Sequence, residues 1–202
     1  MNRVASPPAV LQDGRLRLRG LDARDVDALF ELYADARVMR HWSFARWTVR
    51  SQAIAHVERL ARDRELLEVH PWAATIDGED RLVGTCTLFG IHRDRARGVV
   101  SYALAPALWG RGLGHAMLSL VLDHGFGALA LERIEADIDG GNVASRRLAE
   151  RLGFTCERIM HERHGEDGGL RETLCHALSG PAWRASRARV DAASPGAAVP
   201  RA

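Results

Sequence analysis

The chain has 202 residues, of which 47% are apolar and 27% charged, and its formal net charge is +2. This size and composition fit one globular domain, and no segment resembles a membrane span or a signal peptide. The small charge excludes the basic stripe typical of nucleic-acid binding, and three widely separated cysteines indicate neither a disulfide framework nor a metal site. We expect a cytoplasmic protein that binds neither nucleic acid nor membrane nor metal.

The first part of the chain predicts a strand, two helices and an aromatic loop. Residues 15–19 alternate arginine and leucine with the period of a strand, and residues 26–33 carry apolar side chains at helical spacing behind an Asp22 cap. Residues 40–48 are rich in aromatic side chains without a clean period. This pattern predicts a loop before a second amphipathic helix, over 53–61.

The rest of the domain predicts six further strands and two helices. The strand-like segments are residues 69–77, 81–92, 98–105, 133–139, 156–164 and 170–178, and the helical segments are 113–121 and 142–152. Asn142 is the predicted N-cap of the last helix, and Gly153 is its C-terminal stop. The spacing of the turns favours an antiparallel meander for the first three segments and a closing hairpin for the last two.

This order of elements predicts a mixed α/β (α+β) domain with helices on both faces of the sheet. We expect the domain over residues 14–183, after an N-terminal extension of residues 1–13. Residues 184–202 have little to bury, and this composition predicts a disordered tail.

A glycine-rich segment precedes the helix at 113–121. Gly110, Gly112 and Gly114 stand at every second position, with Arg111 between the first two. Without side chains a ligand can approach the backbone closely, and the N–H groups of the following helix carry a partial positive charge. A phosphate or pyrophosphate suits this combination, and Arg111 could add a hydrogen bond. A plain tight turn is the alternative, and the spacing fits neither a dinucleotide fold nor a P-loop.

Two blocks of sequence resemble the acetyl-coenzyme A signature of the GCN5-related N-acetyltransferase (GNAT) superfamily. The first is "YALAPALWGRGLG", in which Trp109, Gly112 and Gly114 stand at the places of the family's glycine loop. The second is "NVASRRLAERLGF", which matches the family's second block at Asn142, Ser145, Leu148, Glu150, Gly153 and Phe154. The details are most similar to the RimJ/RimL-like branch of ribosomal-protein N-terminal acetyltransferases.

The resemblance covers nearly the whole domain and implies its fold. The family fold is a mixed, mostly antiparallel sheet of six to seven strands with helices on both faces. The sheet splays between its fourth and fifth strands, and coenzyme A enters the splay. The cosubstrate implied is acetyl-CoA, with no metal.

The resemblance also implies which residues bind the coenzyme. The backbone from Arg111 to His115 would hold the pyrophosphate, Ala103 and Leu104 would pair with the pantetheine arm, and Asn142 and Ser145 would face the thioester. The implied set is Ala103, Leu104, Trp109, Gly110, Arg111, Gly112, Leu113, Gly114, His115, Asn142 and Ser145.

The catalytic residues depart from the usual family pattern. The position of the frequent tyrosine acid is Ala149, so Ser145 is the expected group that hydrogen-bonds or protonates the leaving sulfur, with simple helix capping as its alternative. Two frequent glutamates are replaced by Val99 and Ala116. Glu135, with Asp137 beside it on the same face of its strand, could deprotonate the amine directly or through water if that face opens into the splay, and a solvated or salt-bridged strand face is the alternative.

The aromatic loop would form part of the acceptor pocket by the same resemblance. Its candidate acceptor-binding residues are His41, Trp42 and Phe44, although packing between helices is expected for at least one of the aromatic side chains there. We expect acetyl transfer from acetyl-CoA to a primary amine, either a protein N-terminal α-amine or a small-molecule amine, by direct attack on the thioester. The alternative is a catalytically weak coenzyme A-binding sensor or interaction module. The oligomeric state is left open between monomer and homodimer.

Overall fold

The computed structural model describes residues 8–67, 69–76, 78–92, 94, 96–164 and 169–193. The strands are β1 (Leu11–Asp13), β2 (Leu16–Gly20), β3 (His70–Ile76), β4 (Gly84–His92), β5 (Arg97–Leu104), β6 (Arg133–Asp139), β7 (Thr155–His164) and β8 (Gly169–Ser179). The helices are α1 (Val26–Ala34), α2 (Ala36–Met39), α3 (Arg50–Leu67), α4 (Leu113–Phe126), α5 (Val143–Leu152) and α6 (Gly180–Ala193).

All eight strands form one mixed sheet, in the order β1-β2-β3-β4-β5-β6-β8-β7. Every neighbouring pair is antiparallel except β5 and β6, which run parallel. The predicted α/β class and mostly antiparallel sheet are confirmed. The strand number is eight rather than six to seven, because Leu11–Asp13 pairs with β2 across a turn at Gly14, whose φ is 53°. The expected N-terminal extension, 1–13, therefore contributes a strand, and residues 1–7 lie outside the described residues.

Helix α6 corrects the expectation of a disordered tail, since residues 184–193 continue this helix. Trp183 is 3% exposed and donates a hydrogen bond from Nε1 to Asp123 Oδ1 at 2.8 Å. Arg187 lies over the Trp183 ring and pairs with Asp123 at 3.2 Å. Among the described residues, Trp183 and the Arg187–Asp123 ion pair hold this helix to α4. The sequence shows no apolar stripe there that would predict a helix. Residues 194–202 lie outside the described part.

The helices cover both faces of the sheet, as predicted. Helices α4 and α5 bury Met117, Leu122 and Leu148 against one face. Helices α1 and α3 bury Leu29 and Ala53 on the other. Apolar side chains on both faces fix the sheet between the two helical layers, because each strand can bury alternate residues on opposite sides.

The sheet opens between β5 and β6, which correspond to the fourth and fifth predicted strands. Their parallel pairing comprises three residue pairs and ends at Val99 and Glu135. Beyond this point β5 continues along β4, while β6 continues along β8. Residues 100–104 therefore have no strand partner on this edge among the described residues, which leaves backbone groups available to a ligand in the splay.

Candidate active site

A cleft of about 990 Å³ lies at the opening between β5 and β6. The two strands supply one part of its lining, the N-terminal end of α5 supplies a second, and the segment between α2 and α3 supplies a third. This last segment contains the aromatic loop, residues 40–48, followed by Val49. The cleft brings together Ser145, Asn142, His41, Trp42 and Phe44, all of which the sequence analysis singled out.

The N-terminal end of α5 presents a hydroxyl group to the cleft. Asn142 is the N-cap, as predicted, because its side chain accepts a hydrogen bond from the Ser145 N–H at 3.0 Å. The Ser145 hydroxyl is hydrogen-bonded to the hydroxyl of Tyr102, on β5. Helix capping is thus performed by Asn142, and the Ser145 hydroxyl is used in a contact across the splay.

Tyr102 is a residue that the sequence reasoning missed as a partner of Ser145. Burial raises the pKa of its phenol, although the Ser145 hydrogen bond acts in the opposite direction. The phenol is therefore protonated at neutral pH and can donate to Ser145, whose own proton is then directed elsewhere. The only signal in the sequence was its place in the alternating run of β5, which does not reveal a contact with α5.

The glycine loop combines two left-handed glycines with one that packs. Gly110 and Gly112 have φ values of 74° and 78°, and a Cβ atom built on either would meet nothing within 4 Å. A Cβ on Gly114 would instead lie 3.3 Å from Leu148, so this glycine permits the close approach of α4 and α5. Open space for a ligand thus accounts for two of the three glycines, and helix packing accounts for the third.

The N-terminus of α4 has the electrostatic character of an anion site. Gly112 is its N-cap and makes no side-chain capping hydrogen bond to the first turn. Burial lowers the pKa of His115 in this turn, and the charges of Arg151 and Arg187 lower it further. Arg111 is exposed within the loop. Free helix N–H groups with nearby guanidinium groups favour a phosphate ligand.

Trp109, Ala103 and Leu104 lie together where β5 meets the glycine loop. The Trp109 indole donates a hydrogen bond to the Leu104 carbonyl at 2.7 Å, and its ring is half-exposed. Ala103 is buried and pairs with Thr85 of β4. Trp109 therefore fixes the direction in which the chain leaves β5 toward the glycines.

The aromatic loop forms an apolar wall of the cleft. Tyr33 of α1 contacts Trp42 and Trp47, with ring centroids 5.4 and 4.7 Å away. Trp47 is buried and serves packing, whereas Phe44 is 38% exposed and lines the cleft with Trp42. Burial, and secondarily the charge of Arg59, lowers the pKa of nearby His56 to about 4. His56 is therefore neutral at pH 7 and does not repel a cationic amine.

His41, at the start of the aromatic loop, contacts the end of β6. Its Nδ1 lies 2.9 Å from Asp139 Oδ1, and the Asp139 side chain is almost fully buried. Asp139 also accepts a hydrogen bond from the Gly141 N–H at 2.8 Å. Asp139 is the second functional candidate that the sequence reasoning missed, since the alternation of β6 places it beside Asp137 without indicating a partner in the aromatic loop.

Glu135 does not line the cleft. Its carboxylate accepts a hydrogen bond from Arg133 at 2.7 Å, and Arg133 also donates to Glu157 at 2.6 and 3.0 Å. Glu135 stands where β6 is still paired with Val99, before the splay opens. The geometry therefore separates this predicted base from Ser145, and the salt-bridged alternative describes its position.

Two searches of the described residues bear on metal and membrane binding. No group of three or more histidine, cysteine, aspartate or glutamate side chains in the described ranges could hold a metal ion. Within the same ranges, no helix combines the length and apolar composition that a membrane crossing needs.

Comparison with known domains decides the family. Residues 15–155 match the family described as "Acetyltransferase (GNAT) domain". The chain belongs to the GNAT acetyltransferase family. This GNAT protein is 26% identical over 172 residues to the uncharacterized N-acetyltransferase YoaA of Bacillus subtilis (strain 168), a match that covers 85% of this chain and 97% of the relative.

Two further similarities concern the enzyme class and the fold. The GNAT chain is 24% identical over 148 residues to spermidine N(1)-acetyltransferase of Escherichia coli (strain K12), covering 73% of this chain and 77% of the relative. The structure of Mycobacterium smegmatis RimJ in complex with CoA-disulfide superposes with a TM-score of 0.80 at 23% identity, covering 92% and 95% of the two chains. The chain is thus an acetyl-CoA-dependent N-acetyltransferase, and RimJ shares its fold.

Proposed function

We propose that this GNAT enzyme transfers the acetyl group of acetyl-CoA to the α-amine of a protein N-terminus, in the cytoplasm, as a member of the RimJ/RimL-like branch. The observation that carries the proposal is the Tyr102–Ser145 hydrogen bond across the splay, beside the unpaired edge of β5. This hydrogen-bonded pair supplies a proton donor at the position where the sulfur of a thioester bound along β5 would lie.

The donor half of the site fits acetyl-CoA in shape and charge. The pyrophosphate would accept hydrogen bonds from the backbone between Arg111 and His115, where Gly110 and Gly112 leave open space. The pantetheine amides would pair with β5 in the manner of an added strand, and Asn142 holds the start of α5 against the thioester. The structure of RimJ, which shares this fold, is a complex with CoA-disulfide, and this supports the proposed coenzyme site.

The chemistry needs a neutral amine, an attack on the thioester carbonyl and a proton for the departing thiolate. Holding the amine and the thioester in one cleft removes much of the entropic barrier. The amine nitrogen bonds to the carbonyl carbon, and the C–S bond breaks. The thiolate takes a proton from the Ser145 hydroxyl, and Tyr102 then donates its own proton to Ser145. The amine nitrogen releases a proton when the amide forms, and this proton returns the Tyr102–Ser145 pair to its starting protonation state.

The charges of the cleft favour an N-terminal amine over a polyamine. Three aspartates line it, but Asp63 pairs with Arg59 at 2.9 Å, and Asp139 is engaged with His41. Asp137 interacts with the Cys175 thiol, and among the described residues it has no cationic partner. A polyamine carries several cations that need separate partners. The apolar wall of Trp42 and Phe44 suits a peptide side chain. A polyamine acceptor, suggested by the spermidine N(1)-acetyltransferase relative, is the second candidate.

Substituting Gly112 tests the coenzyme site. Gly112→Glu adds a carboxylate at the proposed pyrophosphate position, and we expect the dissociation constant for acetyl-CoA, measured by calorimetry, to rise at least ~10-fold, or ~1.4 kcal/mol. Gly14→Glu is the matched control, because Gly14 also has a positive φ and open surroundings but lies in the β1–β2 turn. Equal affinities in the two variants would show that the pyrophosphate binds elsewhere.

Removing the Ser145 hydroxyl tests the role of the proton donor. Ser145→Ala should lower kcat by about 10²-fold while changing acetyl-CoA affinity little, and Tyr102→Phe should lower kcat in the same direction by a smaller factor. The matched control is Ser179→Ala, which removes a serine hydroxyl from the end of β8, outside the cleft, where it accepts a hydrogen bond from the Ala182 N–H. If Ser145→Ala turns over like Ser179→Ala, the hydroxyl has no part in the transfer.

The acceptor is tested by comparing two amines in one assay of coenzyme A release. A peptide with a free N-terminus should give a higher kcat/KM than spermidine, and the same peptide blocked by N-acetylation should give none. A higher kcat/KM for spermidine would assign the enzyme to polyamines. Failure of both amines and of further small amines, despite measurable acetyl-CoA binding, would contradict acetyl transfer and favour a coenzyme A-binding module.

A further inference from the structure

A histidine and a buried aspartate meet at the acceptor end of the cleft, and the steps described above use neither of them. His41 Nδ1 lies 2.9 Å from Asp139 Oδ1, and Asp139 is 6% exposed. Because an ionised carboxylate can only accept hydrogen bonds, the imidazole must donate from Nδ1. In the neutral ring, Nε2 is then the nitrogen that carries the lone pair.

The surroundings of Asp139 hold its carboxylate toward this ring. The Gly141 N–H donates to Oδ1 at 2.8 Å, and Oδ2 is buried without a hydrogen bond from any described residue. The guanidinium of Arg171 stays 3.7 Å from Oδ2, and Arg171 donates to the Arg40 carbonyl at 2.9 Å. Arg171 thus anchors the chain next to His41, while Asp139 provides a direct ionic partner for an imidazolium.

The His41 ring also packs against the turn that leads into α5. An ideal Cβ on Gly141 would be 3.5 Å from His41 Cε1, so the imidazole packs against the backbone of the β6–α5 turn. Asn142 is the next residue in the chain. Ser145, whose hydroxyl is hydrogen-bonded to Tyr102, lies about one helical turn after it. His41 and Ser145 both line the cleft, from its aromatic-loop side and its α5 side.

We propose that His41 Nε2 is the base that deprotonates the acceptor ammonium, and that Asp139 is the positioning residue that holds its Nδ1–H tautomer. This inference rests on the proposed function. The ammonium gives one proton to Nε2, and the neutral amine then forms the C–N bond as the C–S bond breaks. The nitrogen loses a second proton when the amide forms, and this proton balances the one that the thiolate takes. The imidazolium then gives its proton to water. Glu135, held by Arg133, is not needed for any of these transfers.

The tautomer of His41 can be measured without altering the protein. In ¹⁵N NMR spectra of the full chain with a neutral His41 ring, we expect Nδ1 to carry the proton and Nε2 to be unprotonated. Asp139→Asn should shift the ring toward the Nε2–H form and lower kcat/KM by about 10-fold or more without a matching loss of acetyl-CoA affinity. An Nε2–H tautomer in the unaltered protein would overturn the inference.

Substitution of His41 supplies the second test, with acetyl-CoA and a peptide that has a free N-terminus as probes. His41→Ala should bind acetyl-CoA as the unaltered chain does, lose about 10²-fold in kcat/KM and regain part of the rate with added imidazole. The matched control is His161→Ala, since His161 pairs with Glu172 at 3.7 Å on the exposed β7–β8 hairpin. Unchanged transfer by His41→Ala, or a loss that imidazole does not restore, would overturn the proposed base. Absence of transfer by the unaltered chain would instead contradict the proposed function.

Discussion

The early end of the pairing between β5 and β6 is the constraint on which the site depends. Three residue pairs hold these parallel strands together, and beyond Val99 and Glu135 each strand follows a different neighbour. These three pairs keep the sheet continuous, while β4 and β8 support the diverging ends of β5 and β6. Unpaired backbone on β5 and the start of α5 consequently face one opening. A fully paired sheet would bury these groups and leave no room for a thioester.

Two polar contacts link the walls of this opening. Tyr102 on β5 reaches Ser145 on α5, and His41 in the aromatic loop reaches Asp139 on β6. Each pair joins a strand to a segment far away in sequence, so the folded sheet brings the groups together before any ligand binds. Such preorganisation is what a transfer reaction requires, because the donor groups need not be rearranged during the reaction.

The sequence predicts the donor half of this arrangement better than the acceptor half. The Asn142 cap and the alternation of the strands are local signals, and the structure confirms the cap and the strands that they predict. The binding of the coenzyme by the glycine loop stays a prediction. The sequence does not reveal the roles of Tyr102 and Asp139 because their partners lie across the splay. It leaves Glu135 open between a base and a salt-bridged strand face, because a period of two cannot show where pairing with Val99 ends. Helix α6 was missed since Trp183 and the Asp123 contacts hold it, with no apolar stripe.

A crystal structure of the full chain with coenzyme A tests the central claim most directly. The account predicts the pyrophosphate at the N–H groups that follow Gly112, the pantetheine arm along β5 beyond Val99, and the sulfur within hydrogen-bonding distance of the Ser145 hydroxyl. Coenzyme bound outside the splay, or a sulfur atom directed away from Ser145, would contradict it.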